Sequence, residues 1–508
     1  MVRHRLLATT VLAAAMLIPA AAAMAGKADD TLVYASDSEP ENVSPYHNNL
    51  REGVILSRHA WDTLIYSDPA DGKYKPYLAT SWTWTDPKTL DLELRQGVKF
   101  HNGDSLTADD VVFTFNYVQT PAAKVVTKQN VDWIKSAEKL GDYKVRIHLK
   151  EPFPAALEYL SGPTPIYPAK YFQQVGLEGF SKAPIGSGPY KITAVNTGKG
   201  VRLERFDGYF ADSPIPKPKI AKLEFRVMPD SESRVAALMT GAIDWTWRVP
   251  HDQAMAMKSA PGLSVLSAES MRIGYIGFDS RGTSSAEAPF KDLRVRQAVA
   301  MAIDRKSLVD NLVGGGSNVM HAACFPSQTG CDPNAVTKYE YNPKKAKELL
   351  AEAGYPQGFK TEIQAYRERD YAEAIMGYLK AVGIDARLNF LKYAAMRENL
   401  RGGTVPMVFN TWGSFSVNDA SASTGVYFKG GDDDTAKDPE VIKTLTEADA
   451  TVEPEARKAM YRTALKRISD QLYWLPLFSY STDYVFTDKL TFQAYPDELP
   501  RFYLSSWK

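Results

Sequence analysis

Cysteine is nearly absent: Cys324 and Cys331 are the only two in 508 residues. Their spacing in CFPSQTGC fits neither a C-x-x-C redox pair nor a four-cysteine zinc site, and reads as a local disulfide around a Pro/Gly loop. An excess of one charge is also missing, with 60 basic against 60 acidic residues; without Arg3 and Arg5 of the leader described below, 58 basic residues remain. That balance provides no electrostatic basis for nucleic-acid or membrane-surface binding. Long apolar runs are missing after residue 25, and none approaches the roughly 20 residues of a membrane span. The motifs H-E-x-x-H, G-x-S-x-G and G-x-x-x-x-G-K-[ST] do not occur. Six histidines follow the leader, at 47, 59, 101, 148, 251 and 321, with no i, i+4 pair to hold a metal.

The one apolar run, Leu6 to Ala23, follows Arg3 and Arg5 and ends at Ala23-Met24-Ala25. This is the pattern of a secretory signal peptide over 1–25, cleaved before Gly26. No cysteine lies near the cleavage site to carry a lipid, so the expected product is a free periplasmic protein and not a lipoprotein.

The rest of the chain carries α/β signals, with apolar content sufficient for two or three domains. TLVYAS at Thr31 reads as a strand, and the polar SEPENVSPYHNN after it suits a cleft wall better than a core. Leu90, Leu92 and Leu94 alternate with Asp91, Glu93 and Arg95, the period of a half-buried strand. Thr107 and Asp110 are spaced as a capping box that opens a helix through VVFTF. Val295, Ala298, Val299, Ala302 and Ile303 fall on one helical face. Asn342 and Pro343 open a further helix that stops at Gly354. FKTEIQAY, DYAEAIMGYLKAVG and IDARLNFL then predict strand, helix and strand, the order of a parallel βαβ unit.

In this order, ATSWTWTDPKTLDLELRQGVKFHNGDSLTADDVVFTF, GSGPYKI, LRVRQAVAMAIDRKSLV, NPKKAKELLAEAGY and ALKRISDQLYWLPLFSY resemble the extracytoplasmic solute-binding proteins of ABC importers, in the dipeptide-, oligopeptide- and nickel-binding family (family 5). The resemblance spans almost the whole mature chain. It implies an α/β, two-lobed periplasmic-binding-protein fold with a hinge and an extra subdomain in the first lobe. Lobe I would comprise 26–65, 185–268 and 485–508, the added subdomain 66–184, and lobe II 269–484. Residues 94–115 would then be scaffolding and not chemistry. The implied role is capture of a peptide or peptide-like solute by a monomer, without catalysis or cofactor, and delivery to a membrane permease and its ATPases. Opines, oligosaccharides and metal chelates remain open as ligands, and an exported hydrolase is the rival class.

The resemblance also implies where the ligand lies. In peptide-binding relatives a Trp is followed three places later by an Asp that holds the ligand's α-ammonium group. Here Trp412 is followed by Phe415, with Asn418 and Asp419 further along, so Asp419 is the candidate replacement. A buried ammonium group with no carboxylate partner would be strongly unfavourable. AYRERDYAE corresponds to a loop that supplies an Arg for a ligand carboxylate, which makes Arg367 and Arg369 candidates. Trp245 and Trp247 are candidate aromatic walls beside Arg248, and Tyr46, His47, Asn48, Arg272 and Tyr275 are further candidates. Of the histidines, only His47 lies in the polar cleft-like stretch.

Overall fold

The computed structural model describes residues 26–48 and 50–508, with the backbone alone at Phe415; the leader expected over 1–25 lies outside the described residues. Among the described residues no helix is long and apolar enough to cross a membrane.

One mixed sheet of ten strands runs through the molecule. Its two longest strands, Leu263–Phe278 and Trp474–Thr487, pair antiparallel along most of their length. At one end, Trp474–Thr487 also pairs with Trp245–Trp247, which lies parallel to Thr31–Ser36. At the other end, Leu263–Phe278 pairs with Met407–Trp412, and beyond that lie the parallel strands Phe359–Ala365 and Ile384–Phe390. Helix Arg369–Ala381 joins those last two strands, which is the βαβ unit expected from their pattern. Between the two ends the pairing slips from Glu269 to Ile273, leaving Ser270, Met271 and Arg272 outside the ladder. Such a bulge bends a strand pair locally. The apolar side chains collect on either side of it. One core gathers Leu32, Tyr34, Trp245 and Phe502, and another gathers Val295, Val299, Ile363, Leu379 and Phe478. The result is two lobes on one sheet, with the long strand pair crossing between them.

The added subdomain has its own four-stranded antiparallel sheet, with Ala79–Asp86 next to Thr89–Leu94, then Lys144–Leu149 and Ile134–Gly141. Leu90, Leu92 and Leu94 are buried in one cluster with Val111 and Phe115 of helix Ala108–Val118. The Asp110 carboxylate accepts the Thr107 backbone N–H at 2.8 Å, closing the predicted cap. His101 ties this unit to lobe I. Its Nδ1 accepts from the Gly186 N–H at 3.1 Å and its Nε2 donates to the Gly188 carbonyl at 3.0 Å. Burial lowers its pKa to about 4, so the ring is neutral at physiological pH. A Cβ at Gly186 would fall 1.8 Å from the Ala60 carbonyl oxygen, so only glycine fits at this position of GSGPY. Residues 94–115 and GSGPY are thus two sides of one structural seam.

Cys324 and Cys331 are disulfide-bonded, with Cys324 in the lobe II core. Inside the closed loop, Gln328 Nε2 donates to the carbonyls of Val417 and Asp419 at 2.9 and 3.3 Å, and the Thr329 N–H donates to Asn418 at 3.1 Å. The loop therefore braces the segment that follows Trp412. Chain-entropy arguments for so short a loop give about 2.5 kcal/mol. The double variant Cys324→Ser/Cys331→Ser is expected to lose about that much stability in urea unfolding; an unchanged midpoint would show that the brace holds without the bond.

Candidate functional site

Where the long strands slip, one carboxylate collects the polar groups of both lobes. Glu498, in the C-terminal segment, accepts from Arg272 Nε at 2.9 Å, Arg51 Nη2 at 3.3 Å and Thr482 Oγ1 at 3.1 Å. Arg272 and Thr482 lie on the two crossing strands, and Arg51 opens helix Arg51–Ala60 in lobe I. The same guanidinium groups reach into lobe II. Arg272 Nη1 donates to Thr411 Oγ1 at 2.8 Å, and Arg51 donates to Ser416 Oγ and, at 3.4 Å, to the Gly413 carbonyl. A Cβ at Gly413 would lie 2.6 Å from Arg51 Nη2 and 2.9 Å from Arg272 Nη2, so any side chain there would push these guanidinium groups aside. Burial alone would raise the Glu498 carboxyl, but Arg272, Arg51, Arg248 and Arg367 outweigh it and bring it down to about 2. Arg51 is lowered to about 10 by burial, despite Glu498, and stays cationic at neutral pH.

Above this hub lies a cleft of about 220 Å³, lined by Asp37, Glu52, Arg51 and Arg248 from lobe I, Arg272 at the crossing, and Tyr366, Arg367, Tyr393, Thr411, Trp412 and Gly413 from lobe II. Its lining holds four guanidinium groups against two carboxylates. Arg248 Nη1 donates to Asp37 at 3.1 Å and Glu52 at 3.2 Å, and its guanidinium lies 4.1 Å from the centre of the Trp247 ring. Burial opposes ionisation of Asp37, but Arg248, Arg367 and Arg234 hold its pKa below the usual range. Arg367 pairs with Glu368 and stands 5.4 Å from the Tyr480 ring centre. Four residues around the cleft hold left-handed backbone: Arg248 (φ 51°), Glu368 (44°), Ser414 (51°) and Ser416 (65°). Each such non-glycine position costs of order 1–3 kcal/mol, and strain of this kind clusters at ligand clamps.

The structure separates the residues singled out from sequence. Arg367, Trp412 and Arg272 meet at the cleft. Trp412 is fixed there by its Nε1 bond to Ala422 at 3.1 Å and by an edge contact with Tyr427. Arg369 points away: its side chain is 57% exposed, paired with Glu373 and set over Phe390. Trp245 and Trp247 are 1% exposed and belong to the lobe I core. Trp247 works one step behind the cleft, donating to Ser36 Oγ at 2.7 Å, which in turn donates to Glu52 at 2.6 Å. Tyr46 and His47 fasten the polar stretch to the added subdomain, with Tyr46 donating to Pro165 and His47 Nε2 to Ala123. Tyr275 stacks on Trp474 in the lobe II core. Asp419, the candidate replacement for an acid at 415, is 4% exposed and gripped by both terminal nitrogens of Arg457 at 2.8 Å. The Asn418 N–H donates to Glu158 of the added subdomain at 2.7 Å. Phe415 lies in the turn Ser414–Ser416, and its side chain is outside what the structure describes.

Arg51, Glu52, Asp37 and Glu498 escaped the sequence reading. Arg51 and Glu498 are 447 positions apart in chain regions without a distinguishing pattern. Among the described residues no group of three or more His, Cys, Asp and Glu is placed to hold a metal ion.

Two α/β lobes on a continuous strand pair, closing on a charged cleft, define a two-lobed solute-binding protein. A family model for bacterial extracellular solute-binding proteins, family 5 (middle region), matches residues 73–434, and the chain belongs to that family. It is 27% identical over 494 residues to the glutathione-binding protein GsiB of Salmonella paratyphi A, covering 92% of each chain. It is 30% identical over 333 residues to the oligopeptide-binding protein AppA of Bacillus subtilis, covering 61% of this chain and 60% of that one. The solved dipeptide binding protein from Pseudoalteromonas sp. SM9913, in complex with Met-Leu, superposes with a TM-score of 0.83 over 94% of this chain and 100% of that one; at 22% identity this shows the shared fold.

Since Glu498 has its pKa held near 2 against an ordinary 4.5, its stabilising contribution is complete above about pH 4.5 and is lost as pH falls towards 2. Glu498→Gln leaves two buried guanidinium groups without their carboxylate and is expected to cost about 3 kcal/mol at pH 7. In urea unfolding the gap between variant and wild type should narrow from pH 5 to pH 3. A gap that does not change with pH would place the loss in packing, not in charge.

Proposed function

We propose that this chain is the substrate-binding component of an ABC importer, capturing a small peptide-like solute by a carboxylate in the interlobe cleft. The observation that carries this reading is the cleft lining, with four arginines against two acids drawn from both lobes, so that closure brings Arg367 towards Arg248. A volume of about 220 Å³ is below the roughly 300–1,000 Å³ of pockets for drug-sized ligands, which favours a solute near dipeptide size over a long peptide. Similarity to a glutathione-binding protein over 92% of the chain supports the same class. The protein acts as a monomer outside the cytoplasmic membrane, released there by cleavage of its leader and without a lipid anchor. It presents the closed lobes to a permease driven by cytoplasmic ATPases. Binding shifts the lobes towards closure only as far as the solute prefers that state. The chain itself performs no chemistry on its cargo.

A specific feature narrows the cargo. Position 415 is Phe, and Asp419 is committed to Arg457, so the loop after Trp412 offers no carboxylate to a ligand ammonium group. This favours solutes whose α-nitrogen is substituted, opine-like conjugates among them. In calorimetry on residues 26–508, N-substituted dipeptides are expected to bind at least as tightly as the free ones. Arg367→Ala should weaken a carboxylate ligand at least tenfold, about 1.4 kcal/mol. Arg369→Ala, an exposed charge, should change it less than threefold. Equal effects of the two substitutions would move the carboxylate contact away from Arg367.

A further inference from the structure

A second cavity, of about 890 Å³, lies between the added subdomain and lobe II. It is within the size range of small-molecule sites. Tyr74, Trp84, Phe153 and Leu157 line it from the subdomain, and Val452 lines it from lobe II. Nine large hydrophobic side chains are exposed among the described residues, and three of them, Tyr74, Trp84 and Val452, stand around this groove. Scattered apolar residues on a surface are ordinary, whereas a group of them around one concavity marks a contact site.

Carboxylates outnumber cations around the groove. Asp86, Glu158, Asp419 and Glu455 line it against Arg457 and Lys458. Asp419 and Arg457 neutralise each other through their paired 2.8 Å bonds, which leaves three carboxylates facing one lysine. Glu158 is built into the wall, accepting the Tyr74 hydroxyl at 2.9 Å and the Asn418 N–H at 2.7 Å. Its burial raises its pKa, so a positive charge alongside would stabilise the ionised form. Aromatic faces and carboxylates together are the surroundings that an organic cation prefers.

We propose that this groove is a second binding site, for a small organic cation with a flat apolar body, distinct from the solute cleft. Its walls belong to different lobes, and they are joined where Val417 and Ala422 of lobe II are buried in the subdomain's own core. The loop from Trp412 to Asp419 has its first residues in the cleft and its last in the groove. An occupant of the groove therefore holds the loop that shapes the cleft.

The test is calorimetric titration of residues 26–508 with benzyltrimethylammonium and, as an anion of similar size, benzenesulfonate. The cation should bind saturably at one site, with benzenesulfonate at least tenfold weaker. Trp84→Ala and Glu158→Gln should each weaken the cation at least tenfold. Trp84 is exposed on a strand, so its variant keeps the fold and decides the matter even where Glu158→Gln does not fold. Equal binding of cation and anion, or cation binding unmoved by Trp84→Ala, overturns the proposal. Neither result bears on the cleft, whose own probe is Arg367→Ala.

Discussion

Glu498 is the single group on which both the lobe junction and the cleft depend. It is buried, yet it stays ionised because two guanidinium groups and a hydroxyl converge on it from three separate chain segments. A buried carboxylate with one partner is marginal, since desolvation offsets much of the attraction. With Arg51 and Arg272 both committed, neutralising it would leave two buried cations without their carboxylate. The arrangement also explains why the bulge at Ser270–Arg272 persists: taking Arg272 out of the ladder aims its side chain at Glu498 and Thr411 together.

The cleft above continues the same logic. Its charges are paired within each lobe before any solute arrives, Arg248 with Asp37 and Glu52, and Arg367 with Glu368. Paired charges of this kind are held in place at low reorganisation cost, so under the proposed function a solute carboxylate would meet partners already oriented. The left-handed backbone at Arg248, Glu368, Ser414 and Ser416 is maintained by the sheet that flanks it, so rigidity elsewhere supports strain at the point of contact. Loop and hub are joined directly, because Arg51 bonds both Glu498 and Ser416.

The segments most legible from sequence were those whose information is local. A cap needs Thr107 and Asp110 three apart, and a half-buried strand needs leucines at every second position; both appear as read. The site was less legible, for a physical reason visible at Trp245 and Trp247. A tryptophan beside an arginine reads as a ligand wall, yet both rings are buried in the lobe I core, and Trp247 acts on the cleft through Ser36 and Glu52. Arg367 and Arg369 are two positions apart in one charged loop, and the start of helix Arg369–Ala381 between them turns one inward and the other to solvent.

Hydrophobic periodicity and caps, carried by neighbouring residues, determined from sequence alone an α/β chain, and the ordered motifs carried the resemblance to two-lobed solute-binding proteins. Only the tertiary structure decided which charges line the cleft. Arg51 comes from a helix, Arg248 from just after a short strand, Arg272 from a crossing strand and Glu498 from the C-terminal segment, so their proximity belongs to the folded chain and not to any one stretch of it. It likewise decided that Asp419 belongs to Arg457 and not to a ligand, because helix Pro454–Asp470 brings a guanidinium group to it from 38 residues away.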